Sequence, residues 1–557
     1  MKLLRTIAFA SVLLLYAALA LAAPRSFIVA PFQITGPSGY GYLEKAIPST
    51  LATRLYWKDQ AEALAKGAPA KAVAGEAAAL KALEGTGADF IVWGSATLVG
   101  EECNLDVRVT GKDGKNWRKA GKAPVKQLNG AVHGVADSLA TEVFGRPAPP
   151  RAQGPTVVNQ MHPDIVVNES SQQQIYLNPQ FRYQGGATGD SSRMRTQTMP
   201  FTMVDFQIGN FSGSGKNEIA VISDHRLHIF SWEQGRLKPL AETTVSMSSQ
   251  NFALSSIDLD RDGSLELIVS SFMPDSKESQ GGNKPSSYIF TYSGGRLREF
   301  CDRSRYFMSV ATMPPNFTPI LVGQDWDSAK VFAPGVREMV RDGNKYRLGA
   351  RLNLPREATV FNFSWLPGGK GGEGDKLVIL AGDERLKVFG PKGDEIFKSN
   401  EKYSGSSVGI ENVKTMPGLG RDNVQIADKI FLPLRMIPAD LNKSGEYTLL
   451  ANKPISTAAQ FFDRYRFFPE GEIHALFWDG VGLGLQWKTR RIKGSVLNLE
   501  LGDVMNNGIQ CLVVGINTHP GAIGVSSRKS YFLVYPLDLS RMDPNTPWDT
   551  SDFESTN

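Results

Sequence analysis

The sequence predicts a mainly β chain: a C-terminal β-propeller of six four-stranded blades, or seven if residues 160–200 build a further unit, preceded by a small α/β domain. Three observations carry this. An acidic loop, Asp258-Leu259-Asp260-Arg261-Asp262-Gly263-Ser264-Leu265-Glu266, runs straight into the apolar stretch Leu267-Ile268-Val269. Its spacing recurs before other apolar runs: Asn210, Ser212, Ser214, Gly215 and Glu218 before Ile219-Ala220-Val221-Ile222; Asp440, Asn442, Ser444 and Gly445 before Tyr447 to Leu450; Asp503, Asn507 and Gly508 before Cys511 to Val514. A looser, Gly-rich version spans 367–375. Short strands repeating at roughly 50 residues read as a propeller or a similar array.

From the N-terminus, Lys2 and Arg5 precede the apolar run Ile7 to Leu21, and Ala20-Leu21-Ala22 supplies small residues for cleavage. Residues 1–22 therefore read as a secretory signal peptide, and the expected location is exported and periplasmic. No later stretch approaches the roughly 20 apolar residues of a membrane span. The net charge of +5 over 557 residues is mild and has no concentrated basic face, which argues against nucleic acid. Cys103, Cys301 and Cys511 lack metal-ligand spacing, and their odd count forbids full pairing. Cys103 and Cys511 sit in apolar runs and read as buried thiols, with a Cys301–Cys511 bridge left open.

Residues 23–147 form the first domain. Phe27 to Phe32 is a strand, Leu43, Ile47, Leu51 and Leu55 fall at helical spacing, and the Ala-rich residues 60–84 are helix-prone. Asp89 to Gly94 is a strand running on toward Leu98, Leu105 to Val109 its antiparallel partner, and Lys112-Asp113-Gly114 a turn. Val132, Leu139 and Val143 mark a last helix. Residues 148–200 hold a proline-stiffened linker and a ring-closing segment, Ile165 to Val167 or Gln174 to Leu177 being the strands expected to complete the last blade.

Residues 201–540 carry the blades. Each shows a loop, an apolar strand, a tight turn and an aromatic strand, as in Leu227 to Trp232 with Gln234-Gly235, Tyr288 to Tyr292 with Ser293-Gly294-Gly295, Ile320 to Gly323, Leu386 to Phe389 with Pro391-Lys392-Gly393, Ala475 to Trp478 with Asp479-Gly480, and Tyr531 to Tyr535. A single blade cannot bury both of its faces, whereas a ring of blades can. The polar, acidic residues 541–557 read as a disordered tail.

The acidic loop places carboxylates at its first, third, fifth and ninth positions, which alternate residues of a tight loop can aim at one hard cation. Asp258, Asp260, Asp262 and Glu266, with the carbonyl of Ser264, are the candidate calcium (Ca2+) ligands. A helix-flanked calcium loop needs Glu at position twelve; Val269 stands there, inside a strand, so this is a strand-loop-strand site. Asn210, Ser212, Ser214, Glu218, Asp440, Asn442, Ser444, Asp503 and Asn507 are further candidate ligands in loops where Ser and Asn replace most of the Asp.

These loops resemble the FG-GAP/VCBS repeat family, whose blades carry a D-x-D-x-D-G-x-x-[DE] loop between two strands; the resemblance covers about residues 195–540. The first domain, with Val29-Ala30-Pro31-Phe32 and the run Gly87 to Gly100 before a strand hairpin, resembles the N-terminal domain of TolB and related envelope proteins. That resemblance implies partner binding without catalytic chemistry.

No catalytic set stands out. The six His form no H-E-x-x-H or close metal pair, and Gly405-Ser406-Ser407-Val408-Gly409 lacks the strand-turn-helix a nucleophile elbow needs. Phe461, Phe462, Arg464, Tyr465, Arg466 and Phe467, in an insertion between strands of the fifth blade, have the aromatic-plus-Arg composition of interface hot spots, or fold back over the propeller with their rings buried. Trp487 to Arg491 could add a basic rim. The expected function is that of an exported, non-catalytic envelope protein whose calcium-stabilised propeller binds or scaffolds other envelope proteins. The alternative is a calcium-dependent, lectin-like propeller that binds glycans.

Overall fold

The structure, a computed structural model, describes residues 24–537 apart from 38–39, 65–66, 101, 126–127, 148–164, 168–193, 274–283, 329, 370–373, 418–422, 442–444, 456–465, 467 and 519–527. Residues 1–22, read as a signal peptide, Gln174 to Leu177, Phe461 to Tyr465, Phe467 and residues 541–557 lie outside these residues. The chain splits into two compact units, Met1–Ala148 and Pro149–Asn557.

In the first unit β1 (Arg25–Val29), β2 (Gln33–Thr35), α1 (Leu43–Leu55), β3 (Ala61–Ala63), α2 (Glu76–Leu83), β4 (Phe90–Val99), β5 (Glu102–Gly111), β6 (Asn116–Pro124) and α3 (Leu128–Phe144) follow in order. The sheet runs β3-β1-β4-β5-β6, with β2 on β4. Alternation divides its faces: Phe27 and Val92 pack with α1 and α3, whereas Ile28, Ile91 and Trp93 pack with Ala79 and Leu83 of α2. The Ala-rich stretch departs from its expected helix. Ala61–Ala63 pairs in parallel with β1, which Arg25 N–H to the Gln60 carbonyl at 2.9 Å and Leu64 N–H to the Phe27 carbonyl at 2.8 Å extend at either end. Pairing and the full burial of Ala61 outweigh an intrinsic preference of a few tenths of a kcal/mol per residue. Helix forms only over Glu76–Leu83.

The second unit is a ring of six blades. From inside out, blade 1 is Asp205–Gly209, Glu218–Ile222, Arg226–Glu233 and Arg236–Thr244; blade 2 is Gln250–Ile257, Glu266–Met273, Tyr288–Ser293 and Arg296–Glu299. Blade 3 is Phe307–Met313, Thr318–Gln324, Arg337–Asp342 and Lys345–Arg351; blade 4 is Phe363–Leu366, Lys376–Leu380, Arg385–Phe389 and Glu395–Lys402. Blade 5 is Ile437–Ala439, Thr448–Ile455, Glu470–Trp478 and Leu483–Thr489; blade 6 is Ser495–Gly502, Cys511–Asn517 and Ser530–Pro536, completed by β8 (Met194–Arg195). First strands touch in sequence from blade 6 through 1, 2, 3 and 4 to 5, and blade 5 returns to blade 6 through its second strand.

The apolar runs form the second strands because both of their faces are buried. Ile219 and Val221 pack toward blade 6, with Val513 and Phe532; Ala220 and Ile222 pack toward blade 2, with Leu254 and Val269. Leu377 and Ile379 pack with Leu354 and Ala358 of the link from blade 3, while Val378 and Leu380 face blade 5. Alternation therefore gives each neighbour its own apolar seam, at roughly 1.5–3 kcal/mol per buried Leu, Ile or Val side chain. The three cysteines are free, Cys301 and Cys511 lying in separate clusters.

Ring closure uses a different strand from either one expected. Met194 pairs with Val534 and Arg195 with Leu533, and Met199 N–H adds a bond to the Ser530 carbonyl at 2.7 Å. Ile165–Val167, here β7, instead pairs with the outer strand of blade 5. The described part of residues 160–200 thus supplies edge strands to blades 5 and 6 and no seventh blade.

Between blades 4 and 5 the chain crosses the ring and builds a hairpin, Gly409–Pro417 with Asn423–Phe431. Val408, at its root, touches the clusters of blades 6 and 1, of 1 and 2, and of 2 to 4, so it stoppers the centre. Gly405 turns the chain at φ +68°, and a Cβ there would lie 2.3 Å from the Pro454 Cβ. Gly405→Ala is expected to lower stability by roughly 2 kcal/mol, from left-handed strain and the clash together, read as a shift in urea midpoint at unchanged slope.

Candidate metal loop and the polar seam beside it

The recurring loops share a frame that needs only their first and sixth positions. Asp258 accepts the Gly263 N–H at 3.1 Å, Asn210 the Gly215 N–H at 3.2 Å, Asp440 the Gly445 N–H at 2.8 Å and Asp503 the Gly508 N–H at 2.7 Å. Those glycines have φ of 91°, 77°, 84° and 81°, the left-handed region in which a Cβ is costly. At the ninth position Glu266 accepts the Leu259 N–H at 2.7 Å, and Glu218 the Phe211 N–H at 2.8 Å. Asp, Asn and Glu are thus required to cap backbone whether or not a metal binds.

What differs is the third and fifth positions. In blade 1 they are Ser212 and Ser214, whose hydroxyls lie 2.8 Å apart, and Ser212 also bonds the Glu218 carboxylate. The loop closes on itself with a single acid. In blade 2 they are Asp260 and Asp262, and Asp258, Asp260 and Asp262 each place a carboxylate oxygen within 4.8 Å of the others. Asp260 is 2% and Glu266 1% exposed. Burial, with Asp260 and then Asp258 and Asp262 adding repulsion, pushes the Glu266 carboxyl up to about 8 against the Leu259 N–H. Burial likewise raises Asp258, although loop N–H groups oppose it. This donor set of hard oxygens, holding more negative charge than its amides offset, suits a divalent cation.

The other loops do not match it. Asn210 donates Nδ2 to the Gly263 carbonyl at 3.0 Å and accepts from Gly215, so its amide is committed and it leaves the ligand set. Asp503 accepts the Asn507 and Gly508 N–H groups, and the Asn507 carbonyl oxygen accepts the Ile509 N–H at 3.0 Å. Asp440 keeps Oδ1 buried with no partner among the described residues; Asn442 and Ser444 lie outside them. The ninth position is Thr448 in blade 5 and Cys511 in blade 6. In the looser blade 4 loop it is Asp375, which accepts the Gly368 N–H at 2.9 Å and is followed by Lys376, whose ammonium reaches the Gly374 carbonyl at 3.3 Å.

These loops are also bonded to one another. Asn210 donates to Gly263, and its carbonyl accepts the Leu265 N–H at 2.9 Å, so blade 1 brackets Ser264 of blade 2. On its other side the same loop meets blade 6: Asn217 donates N–H to Asn506 Oδ1 at 2.6 Å and Nδ2 to the Asp503 carbonyl at 2.9 Å, and Asn506 Nδ2 donates back to the Asn217 carbonyl at 3.0 Å.

Deeper in the ring lies a set that sequence reasoning missed. Arg435, just before the first strand of blade 5, bonds Asp205 of blade 1, Glu500 of blade 6, and the carbonyls of Phe206, Leu254 and Leu499. Asn498 joins Asp205 at 2.7 Å, and Asp205 accepts the Leu254 N–H at 2.8 Å. Gln207 links Ser256 at 2.9 Å to Glu500 at 3.1 Å. Burial raises the carboxyls of both Asp205 and Glu500, with Arg435 opposing. The members are scattered over nearly 300 residues without a motif; a lone Arg in the apolar link Leu434-Arg435-Met436-Ile437 was the only signal.

Arg466 also changes role. It donates to the Ser406 carbonyl at 2.9 Å, pairs with Glu384 at 2.7 Å and stacks over Phe431 and Phe468. It pins the crossing segment from within and is withdrawn from the docking set; Phe461, Phe462, Arg464, Tyr465 and Phe467 are outside the described residues. Lys488 and Arg491 of the basic rim gather round Glu472 at 3.5 and 3.7 Å. His228 is buried flat against Phe201 at 4.5 Å, and burial lowers its pKa.

Among known proteins, residues 210–269 match the FG-GAP-like repeat family, a span from the first position of the blade 1 loop to Val269 of blade 2. No curated protein matches the chain. Solved structures similar to it include TolB from Acinetobacter baumannii, at 10% identity over 85% of this chain and 95% of that one with a TM-score of 0.25. A BBS1N–ARL6DN complex matches at 11% identity over 64% and 99%, with a TM-score of 0.32. A glucose dehydrogenase matches at 9% identity over 61% and 98%, with a TM-score of 0.33.

Two outcomes follow from the site's charges. Arg435→Met leaves two enclosed carboxylates without their cation and is expected to cost about 3 kcal/mol or more in urea unfolding, part of which Asp205→Asn with Glu500→Gln restores. In chelator, Glu266 stabilises the fold fully below its ordinary pKa of 4.5 and loses that contribution as pH rises through about 8. Glu266→Gln does not titrate, so its stability should gain on the wild type between about pH 5 and 9, as followed by thermal midpoints across that range.

Proposed function

We propose that this chain is an exported, non-catalytic binding protein whose six-bladed ring is stabilised by calcium at Asp258, Asp260, Asp262, the Ser264 carbonyl and Glu266, and that the ring docks other envelope proteins. The carrying observation is the contrast between two adjacent loops of the same frame. With serines at its third and fifth positions, the blade 1 loop satisfies itself, whereas the blade 2 loop gathers carboxylates that its own N–H groups do not neutralise. Calcium, when bound, supplies the compensating charge. The protein's part is to hold Glu266 against the Leu259 N–H and Asp258 against the Gly263 N–H, so that the oxygens are placed before the ion arrives.

The non-catalytic reading is supported by the polar cluster deep in the ring. Arg435 is bonded to two carboxylates and three carbonyls, which leaves it poorly suited to contact a substrate. The leader-like N-terminus supports export, and among the described residues no helix is long and apolar enough to cross a membrane.

Adding calcium at 100 times its dissociation constant is expected to stabilise the mature protein by about 2.7 kcal/mol over chelator, with Asp260→Asn losing most of that gain. Thermal midpoints indifferent to both would remove the calcium claim. For the docking claim, the ring should retain envelope proteins from an extract in calcium and release them in chelator; retention of a soluble glycan array in their place would replace it with the lectin-like reading.

A further inference from the structure

We infer that the blade 2 loop is part of the ring's own closure, so that calcium held there tightens the junction between the last blade and the first. This rests on the calcium reading above. The chain joins blade 6 to blade 1 only through β8, which runs on into the first strand of blade 1 but is itself two residues long and held to blade 6 by pairing, by Met199 on Ser530 and by Met203 on Asn517 and Ser530. The junction therefore depends on what else crosses it, and polar bonds cross it in three tiers.

The outermost tier is a series of loops. Ser264, whose carbonyl belongs to the ligand set, sits between two residues tied to Asn210: Gly263 through its carbonyl and Leu265 through its N–H. Asn210 also holds Gly215 in its own loop, and two residues further on Asn217 is clasped reciprocally by Asn506 and bonded to the Asp503 carbonyl. A change in the conformation of Gly263 to Leu265 thus reaches blade 6 through one loop, each step being a hydrogen bond to backbone. A Cβ at Gly213 would lie 3.8 Å from the Ser264 side chain, so the two loops run close together there as well. Two inner tiers run parallel: Ser256 to Gln207 to Glu500, and Leu254 to Asp205 to Asn498. Both also join blade 2 to blade 1 to blade 6. Blade 2 is thereby attached to the closing blade by the same route at three depths.

Ordering the outermost tier by a cation should therefore restrain the junction, and by linkage a loosened junction should weaken the cation's hold. Asn210, Asn217 and Asn506 act as positioning residues for a site none of them ligates. The amides of Asn210 and Asn506 each donate and accept, whereas Asn217 meets Asn506 through its own backbone and adds one side-chain bond to the Asp503 carbonyl.

The test is hydrogen exchange on the full chain with calcium or chelator, alongside calorimetric titration of calcium alone. In the wild type, calcium is expected to slow exchange over residues 194–199, 503–517 and 530–536 as well as over 258–273. In Asn506→Gly, which removes both halves of the clasp at a residue whose φ is +56°, calcium should bind about fivefold or more weakly, and the slowing in blade 6 should be lost while that over 258–273 remains. Asn506→Asp keeps the acceptor for Asn217 N–H and removes only the returning donor, so it tests the same link if Asn506→Gly does not fold. Calcium binding with protection confined to 258–273, or unchanged affinity in both variants, would overturn the coupling and leave the calcium site standing. Absence of calcium binding in the wild type would overturn both.

Discussion

A blade in this protein is apolar on both faces, and that single constraint shapes the rest. The second strands carry Ile, Leu and Val at consecutive positions, so no orientation of an isolated sheet hides them. Each must be covered from two sides, and six such sheets meet the requirement only by closing on themselves. Closure leaves one place where only hydrogen bonds hold the ring, in blade 6, where the strand Ser530–Pro536 meets β8. At that junction the structure adds what the others need less: β8, the clasped loops, and the Arg435 cluster reaching in from blade 5 to hold blades 6, 1 and 2.

The loops between first and second strands lie on the same rim, and their chemistry separates into two layers. One layer is conformational: an acceptor at the first position, a left-handed Gly at the sixth, and in blades 1 and 2 a Glu at the ninth that caps the second residue. The other is electrostatic and varies. Blade 1 fills the loop with hydroxyls and blade 2 with carboxylates. A loop can keep its shape while losing its ion, which explains how the repeat spacing persists where the ligand chemistry does not.

Much of the architecture was legible from residues. The loop spacing, the apolar runs and the Gly-bearing turns marked all six units, because each of those signals is local: φ at Gly263 or Gln234-Gly235 and two-sided burial of Ile219 to Ile222 are dictated within a few residues. Asp258 to Glu266 stood out for the same reason, since its carboxylates come together through the path of one loop. The first domain was read correctly in its long strands and outer helices and misread at Ala61–Ala63, where alanines favour helix until β1 offers a partner.

By itself, then, the sequence determined the repeating unit, its turns and the acidic loop, all properties of contiguous stretches. The tertiary structure decided which strand closes the ring, where Arg435 and Arg466 are spent, and how loops of three blades are tied together. Those outcomes pair residues hundreds of positions apart, such as Asp205 with Asn498 or Asn217 with Asn506. Each such residue is an ordinary polar side chain in its own neighbourhood, and only closure of the ring brings its partner within hydrogen-bond reach.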